Sequence, residues 1–314
     1  MPSNEPPLFL LGPQPEYASL KKVLARLQPT SPVALITAGW ETEENRDHKI
    51  HQAIGVDAIN LNLFSRTEQL FADDPELILG LQARQDELRH LRDAYNDRLH
   101  HLLTAAKQIL GRPESLIKLD VERESAIEMV RQLDRQHFVR TSHINDAYED
   151  RLQIAGRPLV VEHRQELAEL MSRCNALLIA GGHVAIILNR LKIFGILEFR
   201  PDVPIIAWSG GAMALSNQVV FFHDSPPQGA GEAEVLRSGM GLFNDILPLP
   251  DAKNRMNLQN RAGVELFARR FNNFKCVIFD EQTIVERKNG NWLVDDSAPV
   301  NRLGETGSVV EFNS

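Results

Sequence analysis

Short apolar runs that alternate with helical patterns constrain the fold of this chain more than any other feature. The runs occupy residues 8–11, 33–39, 57–63, 176–180 and 203–207. Helical periodicity follows the first run at residues 17–27, and such alternation is typical of βαβ units. Glycine or small-residue turns close the C-terminal ends of the runs, where open α/β sheets bind their ligands. The sequence therefore predicts one α/β domain over residues 1–314, with a mostly parallel sheet flanked by helices.

Between residues 75 and 152 the pattern changes to a long, highly charged stretch. Apolar residues recur every three or four positions from Leu77 to Ile109, except at Arg84, where an apolar residue is due. This spacing predicts a helix of about 35 residues that ends at Gly111, followed by a second helix over residues 114–135. The two helices could pack as an antiparallel hairpin inserted into the domain. The hairpin would either lie on its own domain or serve as an arm for dimerisation or partner binding.

The C-terminal segment, residues 275–314, has the pattern of short strands. Candidate strands occupy residues 276–279, 283–286, 292–294 and 309–312. Asn289 and Gly290 form the strongest hairpin signal in the chain, because both residue types tolerate the positive φ of a two-residue turn. We expect an antiparallel β extension with C-terminal β-hairpins.

Composition excludes some partners. The chain has 34 Lys and Arg against 42 Asp and Glu, a formal charge of -8 that repels a phosphate backbone, so we expect no nucleic-acid partner. The first residues lack the features of a signal peptide, and no segment has the roughly 18 apolar residues of a membrane span. We therefore expect a cytoplasmic protein with no membrane partner. Cys174 and Cys276 adjoin apolar runs, which favours small core residues over a disulfide or a metal site.

Ser209 lies where an apolar run passes into a predicted helix. A nucleophile elbow needs small residues two positions before and two after the serine, because its strained backbone brings them together. Ala207 and Gly211 meet that requirement. The amide of Gly210 would then be placed at the helix N-terminus to stabilise an oxyanion. Ordinary tight βα turns also contain such serines, so this segment alone leaves both interpretations open.

Three ordered motifs resemble the peptidase E and cyanophycinase family of serine hydrolases. Residues 207–212 (Ala-Trp-Ser-Gly-Gly-Ala) resemble its Gly-x-Ser-Ala-Gly-Ala elbow, residues 180–183 (Ala-Gly-Gly-His) its Gly-Gly-Asn/Asp turn, and residues 239–243 (Gly-Met-Gly-Leu-Phe) its Gly-Leu-Gly-Leu turn. Outside the helical insertion the similarity covers most of the chain. The resemblance implies a class I glutamine amidotransferase-like fold and an oxyanion hole formed in part by Gly181 and Gly182. It also implies hydrolysis of Asp-X dipeptides or of the Asp-Arg polymer cyanophycin, with no cofactor.

The family pattern also implies a histidine base oriented by an acid, because a serine hydroxyl reacts only when a base takes its proton. Asp224 matches the acid position. At the histidine position the sequence has Asp251, and no histidine follows His223. An aspartate with an unperturbed pKa of about 3.9 is a poor general base toward serine.

Other residues could take part in the site. His183 could face the cleft as a relocated base or substrate contact, or it could be a polar turn residue. If residues 223 and 224 lie in a strand, His223 and Asp224 point to opposite faces and cannot both enter one site. Arg255 could pair with a substrate carboxylate or with Asp251. The remaining histidines lie mostly in charged helical stretches, where we expect surface positions and no metal site: His48, His51, His90, His100, His101, His137, His143 and His163.

Three functions follow from these observations. The first is a hydrolase scaffold with lost or reduced activity that keeps a binding or assembly role, with a small acidic peptide or dipeptide-like molecule as ligand. The second is an active serine peptidase or amidase with a relocated base, above all His183. The third makes the 75–152 arm a scaffold for partner proteins. We expect a homo-oligomer such as a homodimer.

Overall fold

The computed structural model describes residues 6–113, 119–223, 231–296 and 298–312. Its strands are β1 (Leu8–Leu11), β2 (Val33–Ile36), β3 (Ala58–Asn60), β4 (Leu177–Ile179), β5 (Ile205–Trp208), β6 (Gln218–Phe221), β7 (Glu234–Ser238), β8 (Ile246–Pro250), β9 (Lys275–Phe279), β10 (Ile284–Lys288), β11 (Asn291–Val294), β12 (Asn301–Leu303) and β13 (Val309–Glu311). Its helices are α1 (Ala18–Leu27), α2 (His48–Ile54), α3 (Leu63–Asp73), α4 (Pro75–Leu110), α5 (Asp120–Leu152), α6 (Pro158–Ser172), α7 (Val184–Phe194), α8 (Gly210–Leu215), α9 (Ala252–Arg255) and α10 (Arg261–Arg270). Short 3-10 turns occupy Ala38–Glu43, Ile154–Gly156 and Ile196–Glu198.

Seven strands form the central sheet, in the order β3-β2-β4-β5-β1-β10-β11. The pairs from β3 to β1 are parallel, and the β10–β11 hairpin adds to β1 in the antiparallel sense. Strands β1, β2 and β4 are buried along their whole length, which explains why they are continuous apolar runs and not alternating ones. The predicted mostly parallel α/β sheet is confirmed.

The register of β5 with its two neighbours, β4 and β1, determines which turns lie together at the C-terminal edge of the sheet. Ala207 lies opposite Ile179 of β4, and Trp208 lies opposite Leu11 of β1. The three strands therefore end at nearly the same level. The turns that follow them, at Gly12, Gly181 and Ser209, come out side by side.

Helices cover both faces of this sheet. On one face, α1 and α2 bury Leu20 and Ile50 against the strands. On the other, α3, α6 and α7 contribute Leu70, Leu167 and Leu188 to a larger apolar core. Both faces are excluded from water, which is the arrangement that a parallel sheet requires.

The predicted helical hairpin is confirmed, with α4 and α5 as its two helices, and α4 ends before Gly111 as expected. The second helix differs from the prediction. It begins at Asp120 and continues to Leu152, well beyond the predicted end at residue 135, while residues 114–118 lie outside the described residues. No glycine or proline interrupts the sequence between 120 and 152, and Thr141 and Leu152, beyond the predicted end, are buried.

The hairpin packs on the rest of the chain. Tyr95 and Leu99 of α4 and Val130 of α5 are part of the larger core. An ion pair fixes the contact, because the Arg270 guanidinium on α10 donates to both carboxylate oxygens of Asp134 on α5, at 2.7 and 2.8 Å. Among the described residues, no helix is long and apolar enough to cross a membrane.

The C-terminal region differs from the predicted antiparallel extension in one respect. The β10–β11 hairpin is confirmed, with Asn289 and Gly290 both at positive φ, 52° and 79°. Strand β9, however, belongs to a separate four-stranded sheet of order β13-β12-β9-β8, where it pairs parallel to β8. Strand β8 contains Pro248 and Pro250 and lies at the edge of its sheet, where a missing N–H is tolerated. Cys174 and Cys276 are buried free thiols, as expected.

Candidate active site

Ser209 lies directly after β5 and immediately before α8. Its backbone has φ 49° and ψ -120°, a conformation that side-chain-bearing residues rarely adopt. Ordinary βα turns do not need a strained backbone. A nucleophile elbow does, because the strained conformation exposes the serine hydroxyl at the end of the sheet. The backbone of Ser209 therefore has the geometry of an elbow.

Glycines pack so closely around Ser209 that no other residue fits. A Cβ on Gly181 would lie 2.8 Å from the Ser209 Cβ, and one on Gly210 would lie 2.4 Å from the carbonyl oxygen of Gly182. At the next residue, a Cβ on Gly211 would lie 2.5 Å from the Ile179 carbonyl oxygen. The small residues around the serine are therefore required by backbone contacts.

Two amides next to Ser209 are available to a ligand. The nitrogen of Gly182 lies 3.3 Å from the position that a Cβ of Gly210 would take, so the two glycine backbones are in contact. Within the described part of the chain neither amide makes a hydrogen bond, whereas the next amide, of His183, donates to the Gly39 carbonyl oxygen at 2.8 Å. A pair of free, neighbouring N–H groups beside a serine is the arrangement that stabilises an oxyanion.

Asp251 reaches the same edge of the molecule through a short series of backbone contacts. It follows β8, and its N–H donates to the Phe279 carbonyl oxygen at 3.0 Å. The residue after Phe279, Asp280, packs its carbonyl against Gly12. The residue before Gly12, Leu11, accepts a hydrogen bond from the Ser209 N–H at 3.2 Å. Ser209 and Asp251 thus lie at the same edge, at the ends of β5 and β8.

The Asp251 side chain is engaged locally. Its backbone is left-handed, with φ 61°, and its Oδ1 accepts from the Asn254 amide at 2.7 Å. Lys253, two residues on, places its Nζ 2.6 Å from the Asp280 carboxylate. Among the described residues the Ser209 hydroxyl makes no hydrogen bond with any of these groups or with a histidine.

His183 is exposed and is the N-cap residue of α7. Its Nδ1 accepts from the Ile186 N–H at 3.4 Å. In a neutral imidazole whose Nδ1 accepts, Nε2 carries the proton. In this conformation the ring offers no lone pair to a serine hydroxyl, so His183 acts as a helix cap.

The other predicted site residues lie toward the arm. Arg255 stacks on the Phe222 ring, with Cζ 5.9 Å from its centroid, and makes no ion pair with Asp251 in the described structure. His223 follows β6 and lines a cavity of about 450 Å³ between α4 and α10, which Ser209 does not line. Asp224, the predicted acid, lies outside the described residues.

The expectation of surface positions is wrong for two histidines. His137 is buried and stacks on Tyr95 with ring centroids 4.0 Å apart, and burial lowers its pKa to about 4. His163 packs edge-on against Phe194, and burial followed by repulsion from Arg66 lowers its pKa. A charged helical stretch does not reveal which of its residues face inward. Among the described residues, no group of three or more His, Cys, Asp or Glu side chains could hold a metal ion.

Sequence reasoning missed one strained residue near this edge. Glu41, in the turn after β2, has φ 57° and ψ -124°, close to the values of Ser209. Its turn touches the Gly182 turn, since a Cβ on Gly182 would lie 2.4 Å from the Gly39 carbonyl oxygen. No small-residue pattern surrounds Glu41 in the sequence, so nothing there signalled the strain.

No protein-family model matches the chain, and no curated protein matches it. Two solved structures align with nearly all of it. One is a peptidase from an acI-B1 Actinobacterium, 14% identical over 98% of this chain and 97% of that chain, with a TM-score of 0.48. The other is named a "Putative Peptidase E Protein" from Listeria monocytogenes EGD-e and is 11% identical over 93% of this chain and 98% of that chain, with a TM-score of 0.44. Because these similarities are low, the function of the site must be argued from the residues of this chain.

Proposed function

We propose that this chain is a serine-hydrolase scaffold of the peptidase E and cyanophycinase type, with peptidase activity lost or strongly reduced and a binding or assembly role retained. One observation carries the proposal: Ser209 has the strained backbone of a nucleophile, while no described side chain is hydrogen-bonded to its hydroxyl. A serine hydroxyl without a base stays protonated at neutral pH and attacks slowly. The elbow is present, and none of the described residues accepts a hydrogen bond from its hydroxyl.

Among the described residues, the groups that could replace the histidine already make other hydrogen bonds. Asp251 stands at the sequence position of the family's histidine, but its carboxylate accepts from Asn254, and Lys253 pairs with Asp280. A carboxylate is also several pKa units too acidic for efficient proton removal from serine. Loss of a triad member removes most of the rate and leaves binding intact.

The ligand we propose is a small acidic peptide or a dipeptide-like molecule. The free N–H groups of Gly182 and Gly210 can donate to a carbonyl or carboxylate oxygen of such a ligand. Binding there needs no proton transfer. The site can therefore still bind such a ligand when Ser209 is no longer reactive.

Labelling with a fluorophosphonate probe tests the loss of activity. We expect little modification of Ser209 at neutral pH, with a labelling rate at least about 10³-fold below that of an intact serine peptidase. Stoichiometric labelling of Ser209 would overturn the proposal. A His183→Ala variant is the matched control for a relocated base, because labelling that depends on His183 would support an active peptidase instead.

Restoring the missing base is the second test. Asp251→His should produce hydrolysis of Asp-X dipeptides or β-aspartyl-arginine that the unmodified chain lacks. Asp251→Asn, which removes the charge without adding a base, and the double variant Asp251→His with Ser209→Ala should both stay inactive. Activity in the double variant would show that the hydrolysis does not use the elbow serine.

A scaffold role for the 75–152 arm is the second candidate, and an observation on α5 favours it. Val121 and Val139, on one face of the helix, are 76% and 48% exposed. Exposed large apolar side chains on one face suit a contact with a partner or a second copy. Light scattering of the double variant Val121→Asp, Val139→Asp tests this, because an unchanged mass equal to that of one chain in both proteins would exclude self-association through this face.

A further inference from the structure

A row of side chains crosses the central sheet at the edge opposite to Ser209. Leu8, at the start of β1, lies opposite Ile205 at the start of β5 and opposite Arg287 of β10. Arg287 in turn lies opposite Trp292 of β11. Residues that lie opposite each other on paired strands have their side chains on the same face of the sheet. The four side chains therefore point to one face, the one that the larger core covers.

Three residues of this row, Leu8, Ile205 and Arg287, line a cavity of about 300 Å³. Arg287 is the one charged residue among the described residues that line it. The rest of the wall is apolar and consists of Leu197, Leu242 and three prolines in addition to Leu8 and Ile205. This volume is at the lower end of the range of small-molecule sites. The cavity therefore has room for a short apolar group next to one guanidinium group.

The guanidinium group of Arg287 makes only part of its possible hydrogen bonds. Nη1 donates to the Leu242 carbonyl oxygen, a neutral acceptor in the cavity wall. Nε is buried without an acceptor, and Nη2 makes no hydrogen bond with any residue that the structure describes. Asp245 accepts from the Trp292 indole N–H at 2.7 Å, and neither it nor another described carboxylate forms an ion pair with Arg287. The charge at the cavity wall therefore has no counter-charge within the described ranges.

The unpaired edge of Arg287 is the edge by which other arginines of this chain hold a carboxylate. Arg200 donates through Nε and Nη2 to the two oxygens of Asp202, each at 2.8 Å. Arg270 donates through the same two nitrogens to Asp134, at 2.7 and 2.8 Å. The two N–H groups lie side by side in the guanidinium plane and match the spacing of carboxylate oxygens. A buried donor without an acceptor costs free energy, and a bound carboxylate would remove that cost.

We infer that this cavity binds a free monocarboxylate with a short apolar tail. The carboxylate accepts from Nε and Nη2 of Arg287, and the tail lies against Leu8, Leu197 and Ile205. A ligand with a second negative charge does not fit, because the wall offers only one cation and apolar surroundings penalise an unpaired charge. The site is separate from the Ser209 elbow, since Ile205 lies four positions before Ser209, about 13 Å along a strand.

Titration calorimetry of the full chain with hexanoate, at constant ionic strength, tests the inference. We expect saturable binding of one hexanoate per chain. Acetate, which lacks the tail, and 1-hexanol, which lacks the charge, should each bind at least about tenfold more weakly, because each loses one of the two contributions to affinity. Absence of saturable hexanoate binding, or equal affinities for hexanoate and 1-hexanol, would overturn the inference.

Substitution of the arginine places the binding in this cavity. Arg287→Met should weaken hexanoate binding at least about tenfold, the effect of losing one charge-assisted contact, and should leave 1-hexanol binding unchanged. Lys288→Met, which removes the exposed positive charge next to it on β10, is the matched control and should keep the affinity for hexanoate. If hexanoate binds Arg287→Met as tightly as the unmodified chain, the carboxylate binds elsewhere, for example at the amides of Gly182 and Gly210, and the inference is wrong.

A second variant serves if Arg287→Met does not fold. Leu197→Trp enlarges a side chain of the cavity wall and leaves Arg287 unchanged. It should weaken the binding of hexanoate and of 1-hexanol alike, because it takes up the space of the tail. Full hexanoate affinity in a folded Leu197→Trp variant would contradict the inference.

Discussion

Two regions of this molecule achieve precise geometry by opposite means. The Ser209 edge, formed by Gly181, Gly182, Ser209, Gly210 and Gly211, is built from backbone atoms in contact. The arm junction, formed by Tyr95, Asp134, Glu234 and Arg270, is built from long side chains that meet in the interior.

At the arm junction, hydrogen bonds join the side chains in two groups. Arg270 donates to Asp134 and to the Tyr95 hydroxyl oxygen, and that hydroxyl in turn donates to Asp134 at 2.8 Å. Glu234 accepts from Arg92 and Asn96 of the same arm helix. At the Ser209 edge, we therefore expect removal of a polar side chain to change the free energy of unfolding little and addition of a methyl group to lower it. At the arm junction, we expect removal of a polar side chain to lower it strongly.

The largest effect should come from removing one half of the buried ion pair at the arm junction. Asp134→Ala leaves the Arg270 guanidinium, which is 5% exposed, without its carboxylate. We expect a loss of about 3–5 kcal/mol in the free energy of unfolding, measured by urea titration. Asp86→Ala, which breaks the exposed pair with Arg89, is the matched control and should cost less than about 1 kcal/mol. Equal costs would show that the arm junction is not a desolvated pair.

The Ser209 edge should fail on addition of a single methyl group. Gly211→Ala places a Cβ 2.5 Å and 2.8 Å from the carbonyl oxygens of Ile179 and Ala180, which are backbone atoms that cannot turn away. We expect a loss of about 1–3 kcal/mol. Gly156→Ala meets nothing within 4 Å and should stay within about 0.5 kcal/mol of the unmodified chain. A harmless Gly211→Ala would contradict the close packing of the elbow.

The same contrast explains what could be predicted from the sequence. The Ser209 elbow and its glycine turn were predictable because their requirements are local and fall on neighbouring residues. The ion pair of Asp134 with Arg270 was not, because the two residues are 136 positions apart and each lies in an ordinary charged helix. Strand β8 was not predicted because its two prolines argue against a strand. Edge strands such as β8 tolerate proline, because an N–H that points away from the sheet is not needed for pairing.

Burial of His137 at the arm junction predicts a pH dependence. Its pKa in the folded protein is about 4, against about 6.5 for an exposed imidazole, so the folded state holds the ring neutral. The resulting stability is fully present above pH 6.5 and is lost as the pH falls toward 4, because the unfolded chain binds the proton first. Between pH 7 and pH 5 we expect this residue to account for a loss of about 2 kcal/mol.

Urea unfolding of a His137→Phe variant at the two pH values checks this. The variant keeps the stacking on Tyr95 and removes the titration, so its loss of stability should be smaller than that of the unmodified chain by that amount. Asp134 and Glu234 raise the pKa of the ring and Arg140 lowers it, so none of these residues should be changed in the comparison. An unchanged pH slope would place the ring in contact with water.

The smallest effect should appear at Ser209 itself, with the opposite sign. Ser209→Gly removes the Cβ that makes φ 49° and ψ -120° unfavourable, so the free energy of unfolding should rise by about 1 kcal/mol despite the added freedom of the unfolded chain. Ser209→Ala removes the hydroxyl but keeps the Cβ, and it should leave stability nearly unchanged, because the hydroxyl has no partner in the described structure. If Ser209→Gly raises the free energy of unfolding and Ser209→Ala does not, the rest of the fold holds Ser209 in a backbone conformation that is unfavourable for serine. Such strain is expected at a site whose geometry serves a reaction. Equal stabilities for the two variants would mean that the elbow is unstrained and that its resemblance to a nucleophile is only one of sequence.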